Sequence, residues 1–535
     1  MKGLQVLLVE PEYRRLSPSR KKSTAAMDAA PCSQQREPRD DATLWYPPLG
    51  LMKLARFHKD RGDKVCFVSG CDPGLFSQET LFSAGRLWDR VYITTLFTYD
   101  FKMIVKTIRF YREAVGGTTS KVIVGGIMAS LMPDAIYEET GVYPFAGVVN
   151  SPSQIGLDGD TNIDLLAPDY DILDSRLYAT NHTYYAYTTR GCVSNCPWCG
   201  VPEIEPVFIP YIDIKPTIRQ LRSEHGDKPK LMLMDNNVLA SPRLARIVHD
   251  LLSLGYGRGE HTDTQPKKTR VIDFNQGLDA SFLTEKRIRL LSKLNIKPMR
   301  IAFDRVQDKD AYVRAVRLAH KYGFKKFSNY MLYNFKDSPR DLYDRLVTNI
   351  ELNEEWVGKG KRRRASEIYS FPMRYAPIDE KEGAERRKRD HVPYTGTETR
   401  DWLEDPAWTK RFIRNVEIMK GAAHGAISPT PGLARRTIGK CFEEFLANLY
   451  MPEELLRNRN KHERRVYADE PPRKPGTGKV EAFRRFILNL LKRQNATFRD
   501  FHDAVSQNSV AAIRGYKKRC KNEGVKKWLE LYLKK

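Results

Sequence analysis

The sequence has no apolar run long enough to cross a membrane and no opening stretch built like a secretory signal. It holds only eight cysteines in 535 residues, without the regular spacing of a disulfide framework. These absences argue against a membrane-spanning chain and against a disulfide-stapled secreted one, and they predict a reducing, cytoplasmic setting. Negative charge is in the minority. Against 90 Lys+Arg stand 66 Asp+Glu, a formal net charge of +24, which bears on partners and solubility rather than on fold. No RNA-binding signature with a name is present to explain it. Hydrophobic residues make up 41%, enough for real cores, and the length suits three or so domains.

What the chain does have is three crowded cysteines, Cys192, Cys196 and Cys199, in TTRGCVSNCPWCG. Three thiolates spaced C-x3-C-x2-C can hold three irons of a [4Fe–4S] cluster and leave the fourth iron open to a small molecule. Pro197 and Trp198 between the last two ligands suit a tight, partly apolar loop around such a cluster. A zinc site and three unrelated thiols are the other readings. Zinc prefers four ligands, usually as two C-x2-C or Cys/His pairs. No second pair lies nearby, and His182 stands ten residues upstream of Cys192.

The flanks alternate. The aromatic, threonine-rich segment His182–Arg190 favours a strand. Further strands are expected at 230–237, 270–280, 297–306, 324–335 and 366–378, with helices at 242–255, 283–294, 309–323 and 338–356. Ser241 and Thr284 are the expected N-caps, Gly255 a stop, and Pro339 lies in a first turn. Six strands with helices between them predict a parallel sheet with crossover helices. In such folds ligands gather at the carboxyl ends of the strands. The candidate residues there are Asp235, Asn236 and Asn237, then Asn275 and Gln276, Asp304 and Arg305, Asn329, Tyr330 and Asn334, and finally Arg374 and Tyr375. Each can instead cap the next helix, and Asp304 with Arg305 can form an ion pair.

The cysteine loop resembles the cluster loop of the radical SAM superfamily, which places an aromatic residue before the third cysteine, as Trp198 stands here. A partial (β/α)6 barrel of TIM type, with the cluster loop after its first strand, is that superfamily's fold. The resemblance implies a [4Fe–4S] cluster on Cys192, Cys196 and Cys199, with S-adenosylmethionine (SAM) chelated by the open iron. Reductive cleavage of SAM would give a 5′-deoxyadenosyl radical for hydrogen abstraction, the cofactor carrying the hard chemistry. It further implies cofactor contacts from Trp198, Asp235, Asn236, Asn275, Gln276, Asp304 and Asn329, and an electron donor of flavodoxin or ferredoxin type. The family's usual G-G-E after the second strand is missing, with MDNN in its place.

Ahead of the barrel, LQVLLVEP reads as a buried parallel strand. Helix 47–62, strands at 64–70 and 90–100, a helix from Phe101, the strand–glycine–helix run 121–141 and a closing strand AGVVN follow. This predicts a doubly wound, flavodoxin-like α/β domain. A polar insert between Tyr13 and Leu44 reads as a mobile loop. The arrangement resembles the cobalamin-binding-type domain of one radical SAM subgroup, on PPLGLMKLARFHKDRGDKV, VGGIMASLMPDAI and IDLLAPDYDIL. The histidine motif D-x-H-x-x-G for cobalt is absent, and His58 is expected exposed on a helix flank. The resemblance therefore implies either cobalamin without a protein histidine, with methyl transfer, or the fold without the cofactor. Gly125–Gly126 is either a ligand cradle or a turn. A rival is the methylthiotransferase branch with a second cluster, for which Cys32, Cys66 and Cys71 match poorly; Cys66 reads as a small core residue.

The expected organisation is 1–160 for the cobalamin-binding-type domain, 161–378 for the barrel, 379–470 for a substrate-covering extension and 471–535 for a basic helical tail. Residues 471–535 carry 17 Lys+Arg against 5 Asp+Glu, half of the excess charge, and EPPRKPGTGK reads as a linker into them. The tail and the runs KGKRRR, ERRKR and RNRNKHERR either neutralise nucleic-acid phosphates or are a solvated surface. In the first case the substrate is an RNA, or the chain is a non-catalytic iron–sulfur protein that binds nucleic acid. Phe483, Phe486, Tyr516 and Trp528 are then either base-stacking or core residues.

Overall fold

The computed structural model describes residues 3–13, 44–76, 88–357, 366–378, 402–404, 406–423, 425–465 and 478–533. The insert expected between Tyr13 and Leu44, the linker at 470–477 and the runs KGKRRR and ERRKR lie outside them. The chain divides into two compact units, the first holding Met1–Gln276 and the second beginning at Gly277.

The first unit opens with β1 (Gln5–Glu10), α1 (Leu49–Asp60), β2 (Lys64–Ser69), β3 (Arg90–Thr95), α2 (Phe101–Ala114), β4 (Val122–Gly126), α3 (Ile127–Leu131) and α4 (Pro133–Thr140). The strands form one sheet in the order β2-β1-β3-β4, every pair parallel. Alternate residues of β1 serve opposite faces. Leu7 and Val9 pack with Val91, Ile93, Ile104 and Ile108, while Val6 and Leu8 pack with Tyr92, Leu51 and Leu54. Both faces are covered, which is why the strand is apolar throughout.

Two expectations change here. His58 is buried, not exposed. It continues the inward stripe of Leu51, Leu54 and Ala55 on α1, and its ring nitrogens lie 2.7 Å from Asp63 Oδ2 and 3.0 Å from Tyr92 Oη. Burial lowers its pKa. AGVVN (146–150) forms no strand: the Phe145 N–H bonds the Val124 carbonyl at 2.7 Å, and the chain then leaves the sheet edge.

β5 (Thr183–Ala186), the cysteine loop with the short α5 (Val201–Ile204), α6 (Lys215–His225), β6 (Lys230–Leu233), α7 (Leu244–Ser253) and β7 (Val271–Phe274) complete this unit. The strands pair in parallel as β5-β6-β7. Helix α6 was not legible in the sequence because it buries only Ile218 and Leu221. Ser241 is not the cap of α7; Arg243 holds that position, and the Ser241 hydroxyl bonds the Pro210 carbonyl.

The second unit contains α8 (Glu285–Leu291), β8 (Met299–Arg300), α9 (Lys309–Lys321), β9 (Lys326–Tyr333), α10 (Pro339–Glu355) and β10 (Glu367–Arg374). The sheet order is β10-β9-β8, again parallel. Thr284 caps α8 as expected, and Ser338 with Asp341 forms a capping box on α10. Strand β8 is shorter than expected; Pro298 at its start has no N–H to give to a ladder. The fully buried Arg345 ties the strand ends together. Its guanidinium donates to the carbonyls of Phe303, Asp304 and Leu332 at 3.2, 2.8 and 2.7 Å and to Asp337 at 3.0 Å. Thus the chain is α/β, with a doubly wound parallel sheet followed by six parallel strands in the expected order, three in each unit.

The rest of the second unit is helical: α11 (Lys410–Lys420), α12 (Pro431–Ile438), α13 (Phe442–Tyr450), α14 (Glu453–Arg465), α15 (Gly478–Arg493), α16 (Ala496–Ser506), α17 (Val510–Arg519) and α18 (Glu523–Leu533). The last four helices are bound into the others. Tyr532 Oη donates to the Tyr450 carbonyl, and the Arg411 guanidinium sits 4.9 Å from the Tyr532 ring centre. Phe483 and Tyr516 are buried, and Phe486 stacks on Trp528 at 5.6 Å. These aromatics form a core, so the base-stacking reading of them is withdrawn. Among the described residues, no helix is long and apolar enough to span a membrane.

Candidate cluster loop and its support

The cysteines lie in a loop hung from the carboxyl end of β5. Its base is closed where the N–H groups of Arg190 and Ile209 bond each other's carbonyls at 3.1 and 2.9 Å, and the Ile212 N–H reaches the Thr188 carbonyl at 2.7 Å. Gly191 makes the turn into the loop at φ +68°; a Cβ there would stand 2.5 Å from the Val207 carbonyl oxygen. Only glycine fits, by conformation and by space.

Three acidic residues hold this base. Asp235 follows β6 and is 2% exposed. Its Oδ1 accepts the Thr188 N–H at 2.9 Å, both threonine hydroxyls at 2.7 Å, and the Thr189 N–H. Burial nevertheless pushes its carboxyl up to about 6, and Oδ2 has no partner. Glu205 Oε2 accepts the Gly191 N–H at 2.6 Å and the Asn236 amide at 2.8 Å, while its Oε1 takes Arg190 at 2.7 Å. Arg190 also bonds Asp164 and lies 3.4 Å over the Tyr187 ring. Lys53 of α1 bonds Asp164 at 2.8 Å. Burial raises the Asp164 pKa, but the cations Lys53 and Arg190 outweigh it and hold the group at about 2. The doubly wound sheet and the cysteine loop are thereby tied through one buried, alternating charge chain.

The three thiols are half-buried. Cys192 Sγ accepts the Ser194 N–H at 3.3 Å and the Asn237 amide at 3.5 Å; Cys199 Sγ accepts the Val201 N–H at 3.4 Å. N–H groups aimed at sulfur are what a ligating thiolate requires, so the donor set fits an iron–sulfur cluster. Among the described residues, no group of three or more His, Cys, Asp or Glu side chains converges as a metal site.

The other candidate residues are placed as follows. Trp198 is half-buried in the loop, Asn275 is half-buried and Gln276 exposed after β7. In the second unit Asp304 Oδ1 accepts the Leu332 N–H at 2.9 Å, and burial raises its pKa. Arg305 pairs with Asp308 at 2.8 Å. Asn329 is buried and donates to Tyr312 Oη at 2.9 Å, which donates to Asn349 at 2.8 Å. Sequence reasoning missed Thr188, Thr189, Arg190, Gly191, Glu205, Asp164 and Lys53. Of these, only Gly191 next to the first cysteine carried a local signal.

Gly126 has φ +108°, and a Cβ there would be 2.3 Å from the Thr95 carbonyl oxygen, so close packing on β3 accounts for it. Cys66 lies in β2 among core residues, and burial raises its thiol pKa. Cys32 is outside the described residues.

No protein-family model matches the sequence, and no curated protein does. Solved structures similar to it include the radical SAM methyltransferase TsrM from Kitasatospora setae with cobalamin and a [4Fe–4S] cluster bound. That pair is 14% identical, with 66% of this chain and 73% of the other covered and a TM-score of 0.43. The same enzyme with tryptophan substrate and the SAM analogue aza-SAM gives 14% identity, coverage of 67% and 77%, and a TM-score of 0.42. The apo, selenomethionine-labelled cobalamin-dependent SAM radical enzyme OxsB gives 12%, coverage of 99% and 78%, and 0.46.

Proposed function

We propose that this chain is a radical SAM enzyme, with residues 161–378 as its catalytic part and 1–160 as a cobalamin-binding-type part. The observation that carries the proposal is the C-x3-C-x2-C loop at the carboxyl end of β5, held by buried carboxylates and offering N–H groups to two of its sulfurs. Cys192, Cys196 and Cys199 would hold a [4Fe–4S] cluster. When bound, that cluster supplies the electron that cleaves the sulfonium bond of SAM and yields a radical able to take hydrogen from an unactivated carbon. The protein's own residues orient and shield. Asp235 and Glu205 hold the loop base, Trp198 screens it from water, and Asn275 and Gln276 are strand-end groups that would contact SAM.

Anaerobic reconstitution with SAM and a strong reductant, with and without cobalamin, tests this by mass spectrometry. 5′-Deoxyadenosine is expected. S-Adenosylhomocysteine that depends on cobalamin would add methyl transfer. His58 is sealed between Asp63 and Tyr92, so cobalamin bound here is expected to show no histidine nitrogen on Co(II) by electron paramagnetic resonance. A loaded cluster that never consumes SAM, with any substrate tried, would refute the proposal.

Basicity supports a second reading of the substrate as a nucleic acid. The tail aromatics pack on one another, and the exposed cations beside them, including Arg514, Lys518, Arg519 and Lys521, can meet phosphates. Charge reversal of Lys518, Arg519 and Lys521 together is then expected to weaken binding of structured RNA. The slope of log K against log salt should fall by about 0.9 for each phosphate that is no longer neutralised. An unchanged slope in a titration series removes this face from the argument.

A further inference from the structure

We propose that Asn237 is a positioning residue that sets the reduction potential of the site through Cys192, an inference that rests on the iron–sulfur reading above. Asn237 follows Asn236 at the carboxyl end of β6 and is 4% exposed. Its backbone carbonyl opens the next turn by accepting the Ala240 N–H at 3.2 Å. The side-chain amide donates to Cys192 Sγ at 3.5 Å, and its Oδ1 is buried with no partner. An amide in a dry position with half of its hydrogen-bonding capacity unmet is costly; leucine would fill the same volume without that cost. Its one directed contact is to sulfur. Turning the amide over would aim oxygen at a thiolate, so the N–H toward sulfur is the orientation the site requires.

An N–H···S bond withdraws electron density from the ligating sulfur and stabilises the reduced form, raising the potential. The Ser194 N–H makes a similar bond to the same sulfur at 3.3 Å, but it belongs to the backbone and cannot be mutated away. Asn237 is the adjustable half of the pair. No such role attaches to Asn236, whose amide is turned to Glu205.

The test uses the full chain, anaerobically reconstituted, as wild type, Asn237→Leu and Asn237→Asp. Iron content, midpoint potential by spectroelectrochemical titration, and the Fe–S(Cys) stretching frequencies are measured on each. Asn237→Leu should load iron normally, with a more negative potential and stronger Fe–S(Cys) stretches. The one-electron reduction equilibrium should shift by about tenfold, or ~59 mV. Asn237→Asp, which presents oxygen in place of the N–H, should shift further in the same direction. Unchanged potentials at full iron loading would overturn the tuning role and leave the cluster reading standing. Loss of iron from both variants with a wild-type circular dichroism spectrum would make Asn237 a loop-holding residue and also overturn it. Failure of the wild type to load a cluster would overturn the cluster reading and this inference together.

Discussion

Cys196→Ala is expected to remove the cluster's visible absorbance and SAM cleavage together, with no partial activity left. Three thiolates leave one iron free for SAM; with two, the cluster loses a second protein ligand and its hold on the loop. The fold should survive, because Cys196 is half-buried and sits beyond the hydrogen bonds between Arg190 and Ile209 that close the loop. Iron analysis, absorbance and product detection on one reconstituted sample decide the point. Full activity in this variant would sink the proposed function. Retained zinc in place of iron, in wild type and after anaerobic purification, would restore the zinc reading.

A second large effect is expected at Asp235. In Asp235→Ala four donors from Thr188 and Thr189 lose their acceptor inside a buried turn, at a cost of about 3 kcal/mol or more, and iron loading should fall with it. Asp235→Asn keeps an acceptor oxygen where Oδ1 stands and places its amide where Oδ2 has no partner, so stability should stay within ~1 kcal/mol of wild type. The pH dependence separates the two further. Burial raises the carboxyl from 3.8 to about 6. A pKa raised by folding gives a contribution that is full below 3.8 and declines as the pH climbs to about 6. Denaturant titrations across that window should show the decline in wild type and its absence in Asp235→Asn. Equal stability of the alanine and asparagine variants would show that the four hydrogen bonds do not hold the loop.

Local signals were read well. Several strands announced themselves by apolar runs bounded by polar residues, as in β1 and β6. Thr284 marks a helix start in the residues beside it and caps as expected, whereas Ser241, expected to cap in the same way, does not. Where a signal was weak or the partner distant, reading failed. α6 has two buried positions to show, and His58 looked like a polar flank residue until the inward stripe of α1 placed it against Asp63 and Tyr92.

The cysteine loop, the order of most of the strands and helices, and the excess of cations were determined by the sequence alone, because each is a matter of spacing or composition along the chain. Only the tertiary structure decided what supports the loop. Asp235 reaches Thr188 across 47 positions and Lys53 reaches Asp164 across 111. Nothing near either residue in the chain records such a partner. A buried carboxylate takes the donors that folding brings to it, and parallel strands with crossover connections bring together residues that lie far apart in sequence.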